Sequence, residues 1–148
     1  MEPGALLRAY LASGDAGDME AVGRYVAEDV IVHEAGGLTT IGLDYERETW
    51  RAAKSVMPDL RHEVQEAVVQ GDSVAARVVL TGTLTGIYAG LEAEGAEIQV
   101  DVAIFCHVRD GKIAEIWELV DTSAYPEEDE EDYDYDEYED EEENGQGQ

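Results

Sequence analysis

The stretch Phe105–Asp121, FCHVRDGKIAEIWELVD, constrains this chain most. Two apolar runs flank Arg-Asp-Gly-Lys, which is the signature of a β-hairpin turning at Asp110-Gly111. The downstream run carries Glu115, Glu118 and Asp121 among Ile113, Ile116, Trp117, Leu119 and Val120. A carboxylate on a mostly apolar strand is either costly or useful. The fold and the chemistry of the chain both depend on which of the three faces a pocket.

The turn sets the pairing. A two-residue type I′ loop at Asp110-Gly111 would set Arg109 opposite Lys112. A type I turn over Arg109-Asp110-Gly111, with Gly111 as a left-handed bulge, would set Val108 opposite Lys112 and keep the parity of the two strands. The second register sorts the residues better and is the one expected here. One face then collects the even positions Val100, Val102, Ile104, Cys106, Val108, Ala114, Ile116, Glu118 and Val120. The other collects Gln99, Asp101, Ala103, Phe105, His107, Ile113, Glu115, Trp117, Leu119 and Asp121. Periodicity leaves open which face is a pocket and which a core or subunit interface.

Ahead of this hairpin the pattern is helical and then β. Leu6, Leu7, Tyr10 and Leu11 fall at helical spacing up to Ser13-Gly14. Asp18 is placed to cap a second helix, whose buried stripe is Met19, Val22, Tyr25 and Val26. Asp29–His33 reads as a short strand leading into a glycine-bearing loop, and a third helix runs from about Tyr45 to Val56. Met57-Pro58-Asp59 ends it. His62–Gln70 and Ser73–Leu84 flank a Gly71-Asp72 turn. A glycine-rich connection then leads to Glu97–Val108 and Lys112–Asp121. Helices first and hairpin-linked strands afterwards imply an α+β fold with a curved antiparallel sheet closed by three N-terminal helices. Such a cone leaves a cavity suited to a small molecule.

Charge divides the chain in two. Residues 127–143 hold 14 acidic and no basic side chains, so the body keeps a net charge near −13 of the chain's −27. The expected division is a domain over 1–126 and a disordered acidic tail over 127–148, because the tail has no apolar periodicity and cannot bury enough surface to offset its ordering entropy. A solubilising role, docking to a basic protein partner, or modification of its tyrosines all suit that tail. The acidic body disfavours a phosphate-backbone partner, so no nucleic acid is expected. A single cysteine, Cys106, excludes an internal disulfide. No membrane-length apolar run occurs, and the chain reads as cytoplasmic. Three dispersed histidines, without HExxH or CxxC, give no zinc pattern, so no metal is expected. Gly82, Gly86 and Gly90 follow no phosphate-loop spacing and read as bends in a curved sheet.

Several ordered segments carry a resemblance to a known family. They are Arg8-Ala9-Tyr10, Glu28–His33, Gly42, Trp50, Met57-Pro58-Asp59, Gly71–Arg77, Thr81–Gly86 and Asp110–Ile113 with Glu115, Trp117 and Asp121. From about Leu6 to Asp121 the body resembles the SnoaL-like polyketide cyclases of the nuclear-transport-factor-2-like superfamily. The resemblance implies a cone-shaped α+β barrel, dimeric through the outer sheet face, that closes a polyketide ring by an intramolecular aldol reaction without cofactor. It also implies an acid/base aspartate four residues after a tryptophan on the last strand, a spacing matched by Trp117 and Asp121. On that basis the odd face would look into the cavity and the even face outward, into a homodimer interface made by Val100, Val102, Ile104, Ile116 and Val120.

The site expected from these readings pairs Asp121 with Asp101, diagonal to it on the odd face, so that one carboxyl pKa rises by desolvation and like charge. Phe105 and Trp117 would wall a planar ligand. His33 at the pocket mouth, Tyr10 on the first helix and Trp50 on the third complete the expected pocket; each has plain packing as its alternative. Glu118 is assigned to the outward face. The expected function is a small-molecule enzyme of secondary metabolism acting on a polyketide-like carbonyl compound, a cyclase or isomerase. The alternatives are a non-catalytic binding module whose acidic tail docks a partner, and a carrier that presents the tail for modification.

Overall fold

Pro3 opens the first helix where its missing N–H costs nothing, and that helix, α1, runs Pro3–Asp15. Leu6, Leu7, Tyr10 and Leu11 are its buried stripe. It extends one residue past the expected Ser13-Gly14 stop. The second helix, α2 (Met19–Tyr25), is capped by the Asp18 carboxylate, which accepts from the Ala21 amide at 3.0 Å. It leads directly into β1 (Val26–His33), followed by β2 (Thr39–Ile41) and α3 (Leu43–Val56). After Met57-Pro58-Asp59 come β3 (Arg61–Gln70), β4 (Ser73–Leu84), the short pair β5 (Ile87–Tyr88) and β6 (Leu91–Glu92), then β7 (Ala96–Arg109) and β8 (Lys112–Val120). This computed structural model describes residues 1–88, 90–92, 94–121 and 123. The tail expected over 127–148 lies outside them.

The main sheet has six strands in the order β2-β1-β8-β7-β4-β3. It is mixed rather than wholly antiparallel, because β1 lies parallel to β8, with Val32 beside Ile116 and His33 beside Trp117. The long connection from β1 through β2, α3 and β3–β7 to β8 allows that parallel pairing. The longest pairing, β4 with β7, runs from Ser73 opposite His107 to Leu84 opposite Ala96 and forms the sheet's spine.

The last hairpin departs from the expected register. Arg109 lies opposite Lys112, so Asp110-Gly111 is the two-residue loop. Both residues have positive φ, 52° and 76°, as a type I′ turn requires. A bulge then restores parity: Val108 faces Ile113, but His107 faces Glu115, leaving Ala114 unpaired. Beyond it Cys106 meets Ile116 and Ile104 meets Glu118. The even set therefore stays together as sorted, with Ile113 added to it.

That even face is the inner one. Val74, Ala76, Val78 and Leu80 of β4, Val100, Val102, Ile104 and Cys106 of β7, and Ile113 and Ile116 of β8 are buried in one core with Leu6, Tyr10, Val22, Trp50 and Met57 from the helical layer and its exit loop. The expectation that the odd face looks inward is thus corrected. Val100, Val102, Ile104 and Ile116 are core residues, and they cannot form a subunit interface. The physical reason is composition: the even face is almost uniformly aliphatic, so burying it against three helices removes the most apolar area from water. The odd face, with its histidines, acids and aromatics, tolerates solvent. Cys106 belongs to the core too, and burial pushes its thiol up to about 11, so it packs as a small apolar side chain.

Candidate active site

A small, partly open cavity of ≈ 30 Å³ lies between α3 and the inner sheet face. It is lined by Tyr10, Val32, Glu34, Glu46, Thr49, Trp50, Ala53, Leu60, His62, Tyr88 and Glu118. Each polar member is delivered by a regular element. Leu43, Glu46, Trp50 and Ala53 are the buried stripe of α3, spaced three, four and three apart, so Glu46 is carried inward with its apolar neighbours. Glu118 is the one acid on the inner side of β8, and Tyr10 reaches in from α1. His62 stands at the start of β3, before the bulge between Val64 and Glu66.

Glu46 is only 3 % exposed. One of its oxygens, Oε1, accepts the hydroxyl of Tyr10, and that phenol oxygen in turn accepts the indole N–H of Trp50 at 3.1 Å. The other oxygen, Oε2, is buried and has no hydrogen-bond partner among the described residues. Burial is the main reason its carboxyl is pushed up to about 8, and the nearby Glu118 and Glu34 add to the rise against the Tyr10 hydrogen bond. Burial thus favours the un-ionised form of Glu46, and its Oε2 is left without a partner among the described residues. Burial likewise raises Tyr10 well above the usual phenol range, with Glu46 next in importance. Glu118 is also raised, first by desolvation, with His62 opposing and Glu34 reinforcing the shift.

Close approach is what allows this network. A Cβ on Gly14 would come within 2.3 Å of the Trp50 ring, so only glycine at this helical position admits the indole. Trp50 meets Tyr10 edge-on at 5.7 Å and His62 at 5.4 Å between ring centroids. Below them Asp15, at the end of α1, accepts both the His62 backbone N–H at 2.6 Å and ring Nδ1 at 2.7 Å. Thr49 donates to Glu34 at 3.1 Å at the cavity's edge.

The sequence-predicted residues divide between the two faces. Tyr10 and Trp50 are among the residues that line the cavity. His33, Phe105 and Trp117 are not among its lining residues; they share the outer sheet face, and their placement in the pocket is corrected. Trp117 stacks on His33 at 5.0 Å and 11° and meets His107 edge-on at 5.1 Å, while Phe105 pairs across the strands with Trp117. Asp101 is exposed on the same outer face. Asp121 follows β8, and its backbone N–H donates to the Asp101 carbonyl at 2.9 Å. Its carboxylate is held below the usual range by hydrogen bonds from the Ser123 hydroxyl and amide, the opposite of the rise expected. It is exposed, so desolvation is only the smallest influence on it, opposing the Ser123 hydrogen bonds. Glu118, assigned outward from the sequence, is the acid that faces in. Glu46 was missed, although its place in the Leu43–Trp50–Ala53 stripe was a readable signal. His62 and Asp15 were missed because they are distant in sequence and meet only through the packing of α1 against β3. Among the described residues no three His, Cys, Asp or Glu side chains are grouped as metal ligands.

The fold and the cavity define a class: a cone of three helices on a curved mixed sheet, with buried acids lining a small cavity. Residues 4–127 match the model of the SnoaL-like polyketide cyclases, and the chain belongs to that family. Solved structures agree. IdmH, a candidate polyketide cyclase from Streptomyces antibioticus, is 25 % identical over 84 % of this chain and 96 % of its own, with a TM-score of 0.74. A SnoaL-like polyketide cyclase from Agrobacterium tumefaciens is 25 % identical over 84 % and 94 %, with a TM-score of 0.75. A ketosteroid isomerase-like protein from Catenulispora acidiphila, solved with trimethylamine, shares the fold at 18 % identity over 76 % and 82 %, TM-score 0.66. No curated protein sequence matches the chain. Family and cavity together support a cyclase-type small-molecule enzyme. No helix among the described residues is long and apolar enough to cross a membrane.

Proposed function

We propose that the cavity performs acid/base chemistry on a small polyketide-like carbonyl compound, as a cyclase or isomerase of secondary metabolism. The carrying observation is Glu46: a buried carboxyl of the cavity lining, pushed up to about 8, with Oε2 unpartnered among the described residues. A buried polar group left unsatisfied costs about 1–3 kcal/mol, and a ligand oxygen that accepts its proton recovers that. Tyr10 and Trp50 hold the carboxyl in one orientation, which is the preorganisation such a donor needs. An aldol closure requires a proton removed from carbon, a new carbon–carbon bond, and a proton delivered to the carbonyl oxygen. Glu46 suits the last of these, and no redox step is involved.

The test is a panel of aromatic poly-β-ketones and enolisable ketones offered to wild type and to Glu46→Gln. Cyclisation or isomerisation by wild type, with turnover lowered about a hundredfold in the variant, is expected. Binding of the same compounds without turnover would make the protein a ligand-binding module instead.

The same proposal includes a homodimer. The outer face presents Phe105 at 43 % and Leu119 at 61 % exposure beside Trp117 and Val68, a patch that a second copy would cover. The acidic residues of 127–148 suit a basic partner, and the composition points to nothing more specific.

A further inference from the structure

We propose that His62, oriented by Asp15, is the base of this cavity, and that its substrate class is a ketone with an acidic C–H next to the carbonyl. The inference rests on the carbonyl reading above and assigns the proton-removing half of it. The geometry that carries it is a buried dyad. The side chains of His62 and Asp15 are 6 % and 15 % exposed, and their Nδ1–Oδ1 separation is 2.7 Å. Asp15 is fixed at the other oxygen by the His62 amide at 2.6 Å, so the carboxylate addresses both the backbone and the ring of one residue. Lys54 of α3 ties the site down further, donating to the Asp15 carbonyl at 2.6 Å and the Pro58 carbonyl at 2.7 Å.

A carboxylate accepting from Nδ1 selects the tautomer with Nδ1 protonated and leaves Nε2 with a bare lone pair. Nε2 makes no hydrogen bond among the described residues, and His62 is a lining residue of the cavity. A dyad serving only to lock α1 to β3 would not need its ring on the cavity wall. The groups facing this imidazole are Asp15 from α1, Glu46 and Trp50 from α3, and Glu118 from β8.

The step balances within these residues. The substrate's C–H bond breaks, and its proton goes to Nε2. The electron pair forms the carbon–carbon double bond of an enol, while the carbonyl π pair takes the proton of Glu46. In an isomerisation carbon takes the proton from Nε2 while the enol O–H returns its proton to the Glu46 carboxylate. In a ring closure the enol carbon attacks a second carbonyl, whose oxygen takes the proton from Nε2, while the enol O–H returns its proton to Glu46 and both side chains end as they began. Asp15 touches no substrate; it is a positioning residue.

The experiment uses 2-tetralone in D2O with the full chain, following loss of its C1 proton signals by NMR, together with a 15N spectrum of the histidine rings at pH 7.5. Wild type should accelerate exchange, and His62 should show a protonated Nδ1 and a bare Nε2. His62→Gln should lose roughly a hundredfold of the acceleration. Asp15→Asn, which keeps the ring but no longer dictates its tautomer, should lose at least roughly tenfold, with the Nε2 signal shifting toward the protonated form. Exchange that survives His62→Gln, or a protonated Nε2 in wild type, overturns this inference and leaves the carbonyl reading standing. A wild type that does not accelerate exchange overturns the carbonyl reading, and this inference with it.

Discussion

At the scale of single residues, the cavity is defined by acids whose carboxyl pKa burial raises. Glu46 sits near 8 because its charge would be stranded between Tyr10, Glu118 and Glu34, with one oxygen unpartnered. A carboxyl raised on folding adds stability that is fully present below its ordinary range near 4.3 and lost as pH climbs toward 8. The loss for Glu46 is on the order of a few kcal/mol. Glu46→Gln keeps the shape without a titrating proton. The stability difference between wild type and variant, measured by urea unfolding, should therefore move against wild type between pH 5 and 8.5. A difference that does not change with pH would contradict the assignment. Tyr10 was legible as a pocket residue because a hydroxyl on an apolar helical stripe needs a partner. Glu118 was legible as an oddity and assigned to the wrong side, since one acid among aliphatics has the same pattern facing either way.

At the scale of elements, most boundaries could be read because local chemistry sets them. Asp18 caps α2, Met57-Pro58-Asp59 ends α3, and Asp110-Gly111 turns the last hairpin. The register of that hairpin could not be read, because the bulge at Ala114 that restores parity has no sequence signature. Gly111→Ala should cost about 1–2 kcal/mol, since φ there is +76° and a side chain clashes in that conformation. Gly14 was read as a helix stop, yet α1 continues through it. Alanine would add about 1 kcal/mol of helix propensity, but its Cβ would meet the Trp50 ring at 2.3 Å, and overpacking of that kind costs about 1–3 kcal/mol. The clash wins. Gly14→Ala should lower the melting temperature and alter Trp50 fluorescence, and a stabilised variant would show that the indole has room to yield.

At the scale of the whole molecule, the α+β cone was legible from the order of helices and strands, and the inner face was not. Both faces of the sheet hold apolar residues; only the packing of three helices on the even one decides which is the core. The resemblance-based choice relied on the spacing of Trp117 and Asp121, which lie outside the cavity once the strands are paired. The outer patch then requires a cover of its own. Light scattering at micromolar concentration should give a dimer for wild type and a monomer for Leu119→Glu, and a monomeric wild type would remove the interface. Deleting 127–148 should leave the melting temperature essentially unchanged, because that acidic composition has no aliphatic side chains and only three tyrosines to contribute to a core. The central claim is that chemistry belongs to the cavity beneath the helices and not to the exposed end of β8. The direct measurement is turnover of one accepted carbonyl substrate by Glu46→Gln and by Asp121→Asn, side by side. The account predicts a loss of about a hundredfold in the first and a rate close to wild type in the second. A near-normal Glu46→Gln with a crippled Asp121→Asn would contradict it.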